Sequence, residues 1–156
     1  MTKKEKDLLI QDLCGRLPYG VKIELRNSRK YHHENISKGN RNTVDKLKGF
    51  TGKYFTIYHD NPLDWDWSDS DVEVEDIKPY LFPMSNMTEE QKKECNFADD
   101  LDSDILDAAL CTNHYNRTGI PTVIYNLVDW CNKNHFDYRG LIPMGLAKDA
   151  TGLGIY

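Results

Sequence analysis

Asp64, Asp66, Ser68, Ser70 and Glu75 stand at positions 1, 3, 5, 7 and 12 of one acidic stretch, the spacing of oxygen ligands in a calcium-binding loop. A hard cation wants several oxygens brought together by one short segment. Three features argue against that use here. Asp69 occupies the sixth position, where glycine permits the sharp turn, Trp65 and Trp67 interleave the ligands, and the flanks read as strands rather than helices. The expectation is a solvated acidic hairpin loop, with Asp64, Asp66 and Glu75 as the residues that would meet a metal ion.

Cys111-x-x-His114 and Cys131-x-x-x-His135 offer two thiolates and two imidazoles, a donor set suited to tetrahedral zinc. Cys131 and His135 would share a helix face, four residues apart. Yet Cys131 continues an apolar stripe, and the order Cys-His-Cys-His at these spacings is not a common structural zinc pattern. Buried cysteine beside ordinary histidine is the expected arrangement. The run His135-Phe136-Asp137-Tyr138-Arg139 holds groups able to move protons or hold an anion. Consecutive residues cannot all face one cavity, however, and Asp137 suits a cap.

The basic stretch between residues 22 and 48 is a third candidate. Lys22, Arg26, Arg29, Lys30, Lys38, Arg41, Lys46 and Lys48 surround Tyr31, His32 and His33. Clustered cations with aromatic neighbours are the electrostatic footprint expected for phosphate backbones. Glu24, Glu34 and Asp45 dilute it. Arg26, Arg29, Lys30, His32, His33 and Arg41 are its candidate ligand-binding residues. Phosphate-loop, dinucleotide-fold, nucleophile-elbow and zincin motifs are absent from the sequence, and no catalytic set is assigned.

Positioning these groups requires a scaffold, and 156 residues with 39% apolar content suit one domain built on one core, residues 1–156. Thr2 and Glu5 make a capping box, and Leu8, Leu9, Leu13 and Leu17 follow at helical spacing until Gly15 and Pro18 stop the helix. Val21 to Leu25 alternates as a strand with one buried face. Arg26 to Lys48 reads as a polar connection, Lys53 to His59 as an aromatic, β-branched strand, and Val72 to Glu75 as a further alternating segment leading into Ile77, Tyr80 and Leu81. Thr88 and Gln91 repeat the capping box. Ile105 to Leu110 predicts a helix, and Pro121 opens another whose stripe is Ile124, Leu127, Val128 and Cys131. The fold class expected is α+β: a small antiparallel meander of three to four strands, an N-terminal helix and several C-terminal helices.

The charge is segregated. Residues 1–60 carry 13 Lys/Arg against 7 Asp/Glu, whereas residues 61–110 carry 3 against 15, within a net charge of −5. Such asymmetry suits an interaction surface, or an attraction between two parts of one fold. Four scattered cysteines, no apolar run of membrane-spanning length and a charged N-terminus predict a cytoplasmic protein with reduced thiols and no membrane association.

Three stretches carry a resemblance: Leu13-Cys14-Gly15-Arg16-Leu17-Pro18-Tyr19-Gly20-Val21, then Ile77 to Ser85 with Met87 to Gln91, and Asn134 to Ile142 with Gly145-Leu146-Ala147. Together, about a third of the chain, they resemble a group of small uncharacterised proteins of gut Bacteroidales bacteria and their phages and mobile elements. The resemblance implies a mobile-element setting and transfers no functional residue. The expected function is therefore a small non-catalytic accessory protein that binds another macromolecule, another protein first, with no cofactor. Nucleic-acid or nucleotide-phosphate binding through residues 22–48 is the alternative, and a metal-dependent hydrolase using His114, His135, Asp137 or the acidic loop is the second alternative.

Overall fold

Thr2 opens the first helix as its residue type predicts: its hydroxyl accepts the Glu5 backbone N–H at 3.3 Å, and the Glu5 carboxylate accepts the Thr2 N–H at 2.7 Å. Helix α1, Lys3–Arg16, then runs through Gly15 instead of stopping there. Glycine serves packing at that point, because a Cβ on Gly15 would lie 2.9 Å from Asn132 Nδ2. The helix ends in a 3-10 turn, Leu17–Tyr19, closed by Gly20 at φ 64°. The computed structural model describes residues 1–26, 45–58, 70–94 and 120–156.

Among the described residues six strands form one mixed sheet: β1 Lys22–Leu25, β2 Asp45–Phe50, β3 Phe55–Tyr58, β4 Ser70–Val72, β5 Ile77–Leu81 and β6 Lys148–Asp149. Their spatial order is β4-β3-β2-β1-β5-β6, antiparallel throughout except the parallel pair β5–β6. The α+β class stands, but the three- to four-strand meander is too small a description. β2 begins within the stretch read as a polar connection and runs past its end, since Lys46 and Lys48 face outward while Asp45 and Leu47 are buried. The alternating Val72 to Glu75 segment also divides: Val72 ends β4, and Val74–Asp76 winds into a 3-10 turn. β6, two residues long, comes from the glycine-containing tail.

The connection from β4 to β5 shapes the sheet. In a flat sheet, four strand spacings of about 4.8 Å would separate these strands by about 19 Å. The five steps from Val72 to Ile77 reach about 17 Å at full extension, and part of that length is wound into the 3-10 turn. The sheet must therefore curl. Its concave side holds Ile23, Leu47, Phe55, Ile57, Val72, Ile77 and Leu81, against which α1 lays Leu9 and Leu13.

After β5 the chain makes a 3-10 turn, Met84–Asn86, and a short helix α2, Glu89–Glu94, whose Thr88 and Gln91 form the predicted capping box. Helix α3, Ile120–Lys133, has Pro121 in its first turn as predicted. It builds a second apolar cluster from Leu127, Cys131 and Phe136, packed against Phe82, Met84, Met87, Trp130 and Tyr138. The helix predicted at Ile105 to Leu110 lies outside the described residues. No helix among the described residues is long and apolar enough to cross a membrane.

Candidate functional site

Where α3 ends, its last carbonyls need partners. Phe136 N–H reaches back to the Cys131 carbonyl at 2.9 Å, and His135 N–H to the Asn132 carbonyl at 3.3 Å. This pair of bonds is the Schellman closure, whose left-handed position glycine usually fills. Here His135 fills it, at φ 59°. Arg16 completes the cap from α1, donating to the Cys131 carbonyl at 3.3 Å and to the Phe136 carbonyl at 2.8 Å. Asp12 holds the guanidinium in turn, and both side chains of the pair are fully buried.

The run His135 to Arg139 disperses around this cap. The His135 ring stacks on Tyr156, with centroids 4.0 Å apart. Burial, then the nearby Arg16 and Lys22 charges, push its pKa down to about 4, so the imidazole is neutral near pH 7. Its Nδ1 finds no hydrogen-bond partner among the described residues. Phe136 enters the second apolar cluster, stacked on Trp130. Asp137 accepts the backbone N–H groups of Leu141 and Ile142, both at 2.8 Å, and so caps the following turn. Arg139 lies 3.5 Å from Asp12 and donates to the Tyr138 hydroxyl at 3.1 Å. Five consecutive residues thus take five separate structural positions. None of their geometry pairs a nucleophile with a base.

Beside His135 lies an open groove of about 540 Å³, floored by Phe82, Phe136 and Tyr156 and rimmed by Asn86, Gln91 and Lys133 among others. Part of its polar rim is already engaged. Asn86 Nδ2 donates to the Thr151 hydroxyl at 2.6 Å, and Gln91 Oε1 accepts the Thr88 N–H. Among the described residues the groove's lining offers aromatic surface and amides, no Asp or Glu side chain, and one lysine.

The convex face of the curled sheet is chemically distinct. The β1–β2 register sets Lys22 opposite Lys46, and the β1–β5 register sets Glu24 opposite Lys78. Tyr80 pairs with Lys148 on β6, whose ammonium lies 5.8 Å from the Tyr80 ring centroid. Lys148 is bound to Glu24, and that hydrogen bond raises the pKa of its ammonium. Lys22, Lys46, Lys48, Lys78 and Lys148 thus line this face, which among the described residues also carries Glu24 and Asp71.

No protein-family model, curated protein or solved structure matches this chain.

Of the sequence-predicted site residues, Arg26 is exposed at the end of β1 and donates to the Gly145 carbonyl at 3.3 Å. Glu75 sits in the 3-10 turn before β5, its carboxylate 2.5 Å from the Lys6 ammonium, a contact that lowers its pKa. Cys131 is buried in the second cluster, and His135 lies at the cap. Arg29, Lys30, His32, His33, Arg41, Asp64, Asp66, Cys111 and His114 lie outside the described residues. Among the described residues, no three His, Cys, Asp or Glu side chains gather as metal ligands. Sequence reasoning missed Lys78 and Lys148, which lie far from the basic stretch and join it only through β5 and β6. It also missed Asp12 and Arg16, whose i, i+4 spacing beside Leu9 and Leu13 was the available signal.

Proposed function

We propose that this chain is a non-catalytic binding module of a phage or mobile element, acting by docking on another macromolecule. The observation that carries this reading is the fate of the chemistry-bearing groups around α3. Arg16 and Asp12 are spent on each other, Arg16 also on helix-end carbonyls, and Asp137 on two backbone amides. Groups so committed are not available to attack, protonate or polarise a substrate. The exposed polar groups remain, and their sorting by charge is a property of interaction surfaces. The phage or mobile-element setting rests on the sequence resemblance alone.

The test is affinity capture with the tagged chain from a Bacteroidales lysate, with nuclease-treated and untreated samples in parallel. One macromolecule should be retained in stoichiometric amount and released by a defined surface substitution. Retention of nothing in either sample would overturn the reading, as would turnover of a substrate by the purified chain.

A further inference from the structure

Resting on that reading, we infer that the convex face of the sheet is a binding surface for the phosphodiester backbone of nucleic acid. The face is built by register rather than by sequence proximity. Lys148 on β6, Tyr80 on β5, Lys22 on β1 and Lys46 on β2 occupy one transverse row, since Lys22 lies one step along the β1–β5 ladder from the Ile23–Pro79 pair. Lys78 stands beside Glu24 in the next row, and Lys48 follows Lys46 at the β2–β3 irregularity. Neighbouring strands lie about 5 Å apart, and alternate residues along a strand about 7 Å apart. Cations on such a grid can meet several phosphates of one strand together.

The sign of the face decides the ligand's charge. Among the described residues five lysines stand against Glu24 and Asp71; Glu24 is bound to Lys148, and the Lys22 ammonium donates to the Ile155 carbonyl. This concentration belongs to a chain whose net charge is −5, so the potential is local to the sheet. The acidic residues Asp71 and Glu73 are exposed at and just after β4, at the opposite edge of the sheet from β5 and β6. The face has a basic field with an acidic border, which fixes where a polyanion can lie.

The residue types favour phosphate over an acidic protein. Protein interfaces are enriched in arginine, methionine and aromatic residues around an apolar centre, and are depleted in lysine. In this row Lys148, Lys22 and Lys46 stand around Tyr80, which is only 9% exposed, and Tyr58 holds the next register position. A lysine grid without an apolar centre suits a sequence-independent, electrostatic contact. At one side the Tyr156 ring, stacked on His135, lies 5.6 Å from the Lys22 ammonium and borders the row.

The test is fluorescence anisotropy of a labelled oligothymidylate of about 16 nucleotides, titrated with the full chain. A duplex of equal length and a polyglutamate of equal charge serve as parallel arms. Four engaged lysines predict a log–log salt slope of about −3 on the single strand. Lys46→Gln/Lys78→Gln, at two outward positions, should weaken binding at least tenfold at low salt and reduce the slope by about 1.4, with an unchanged melting temperature. The single-strand and duplex arms separate the two sources of the same phosphate chemistry, and binding of either supports the surface. No binding at low salt, salt-insensitive binding, an unaffected double variant, or polyglutamate binding as tight as the oligonucleotide would overturn it. If it is overturned while nuclease-treated lysate still yields a stoichiometric partner, the broader docking reading survives. If both fail, both fall.

Discussion

Arg16 grips Asp12 one helical turn away as a two-pronged fork, Nε to Oδ2 at 2.7 Å and Nη2 to Oδ1 at 3.0 Å, with neither side chain exposed. The same guanidinium holds the carbonyls of Cys131 and Phe136. The first helix and the end of α3 are therefore fastened through one residue.

Breaking that fastening from one side leaves a buried carboxylate with only the longer contact to Arg139, at 3.5 Å. Arg16→Met should cost about 3–5 kcal/mol, the usual penalty for removing one partner of a buried pair. Urea denaturation reads the loss as a lower midpoint at unchanged slope. Asp12→Leu/Arg16→Met should recover at least half of it, because the uncompensated charge is gone. Additive losses in the double variant would contradict this account.

His135 makes stability depend on pH with a definite sign. Its folded pKa, about 4, lies below the ordinary value of 6.5, so between those limits the unfolded chain binds more protons. The contribution is complete above about pH 6.5 and is lost as pH falls toward 4, amounting to about 2–3 kcal/mol. His135→Asn tolerates the left-handed backbone and cannot titrate. The loss of stability between pH 7 and pH 5 should be smaller in this variant than in the parent, and equal losses would show that another group is responsible.

Gly15 lies inside a helix, where alanine ordinarily adds about 1 kcal/mol. Gly15→Ala should forfeit that gain, since the new methyl would meet Asn132 Nδ2 at 2.9 Å and Asn132 is itself buried. Gly15→Ala/Asn132→Ala should restore it. Thermal melts of the four proteins in this cycle give the coupling directly.

Asp137 holds two backbone amides with one carboxylate. Asp137→Ala leaves both N–H groups without their acceptor and should cost about 2–3 kcal/mol. Hydrogen exchange at Leu141 and Ile142 should accelerate, while exchange in β2 and β3 is unchanged. Uniform acceleration would point to global loosening instead.

The sequence signals that succeeded are local ones. The capping boxes at Thr2 and Thr88, the alternation of Val21 to Leu25, the aromatic run at Phe55 to Tyr58 and the early proline of α3 each act within a few residues. The failures depend on partners distant in sequence. β2 is polar at every second position, and its lysines disguised the buried Leu47. β6 exists because Tyr80 and Leu81 pair with it. The stripe of α1 includes Asp12 and Arg16, which an apolar pattern cannot reveal, and the left-handed His135 occupies a place where glycine would have marked the helix end. Of the candidate site, the basic character of residues 22 and 46 was legible. The contribution of Lys78 and Lys148 needed the strand order.

The 120 positions between Arg16 and the Phe136 carbonyl also impose a timetable on synthesis. The meander β1–β4 can pair while the chain is still emerging from the ribosome, but the guanidinium on α1 has no carbonyls to hold until residue 136 has been made. Until then Asp12 and Arg16 keep their water. Sealing the first helix thus waits on residue 136, and nascent chains shorter than this should leave α1 open to proteases.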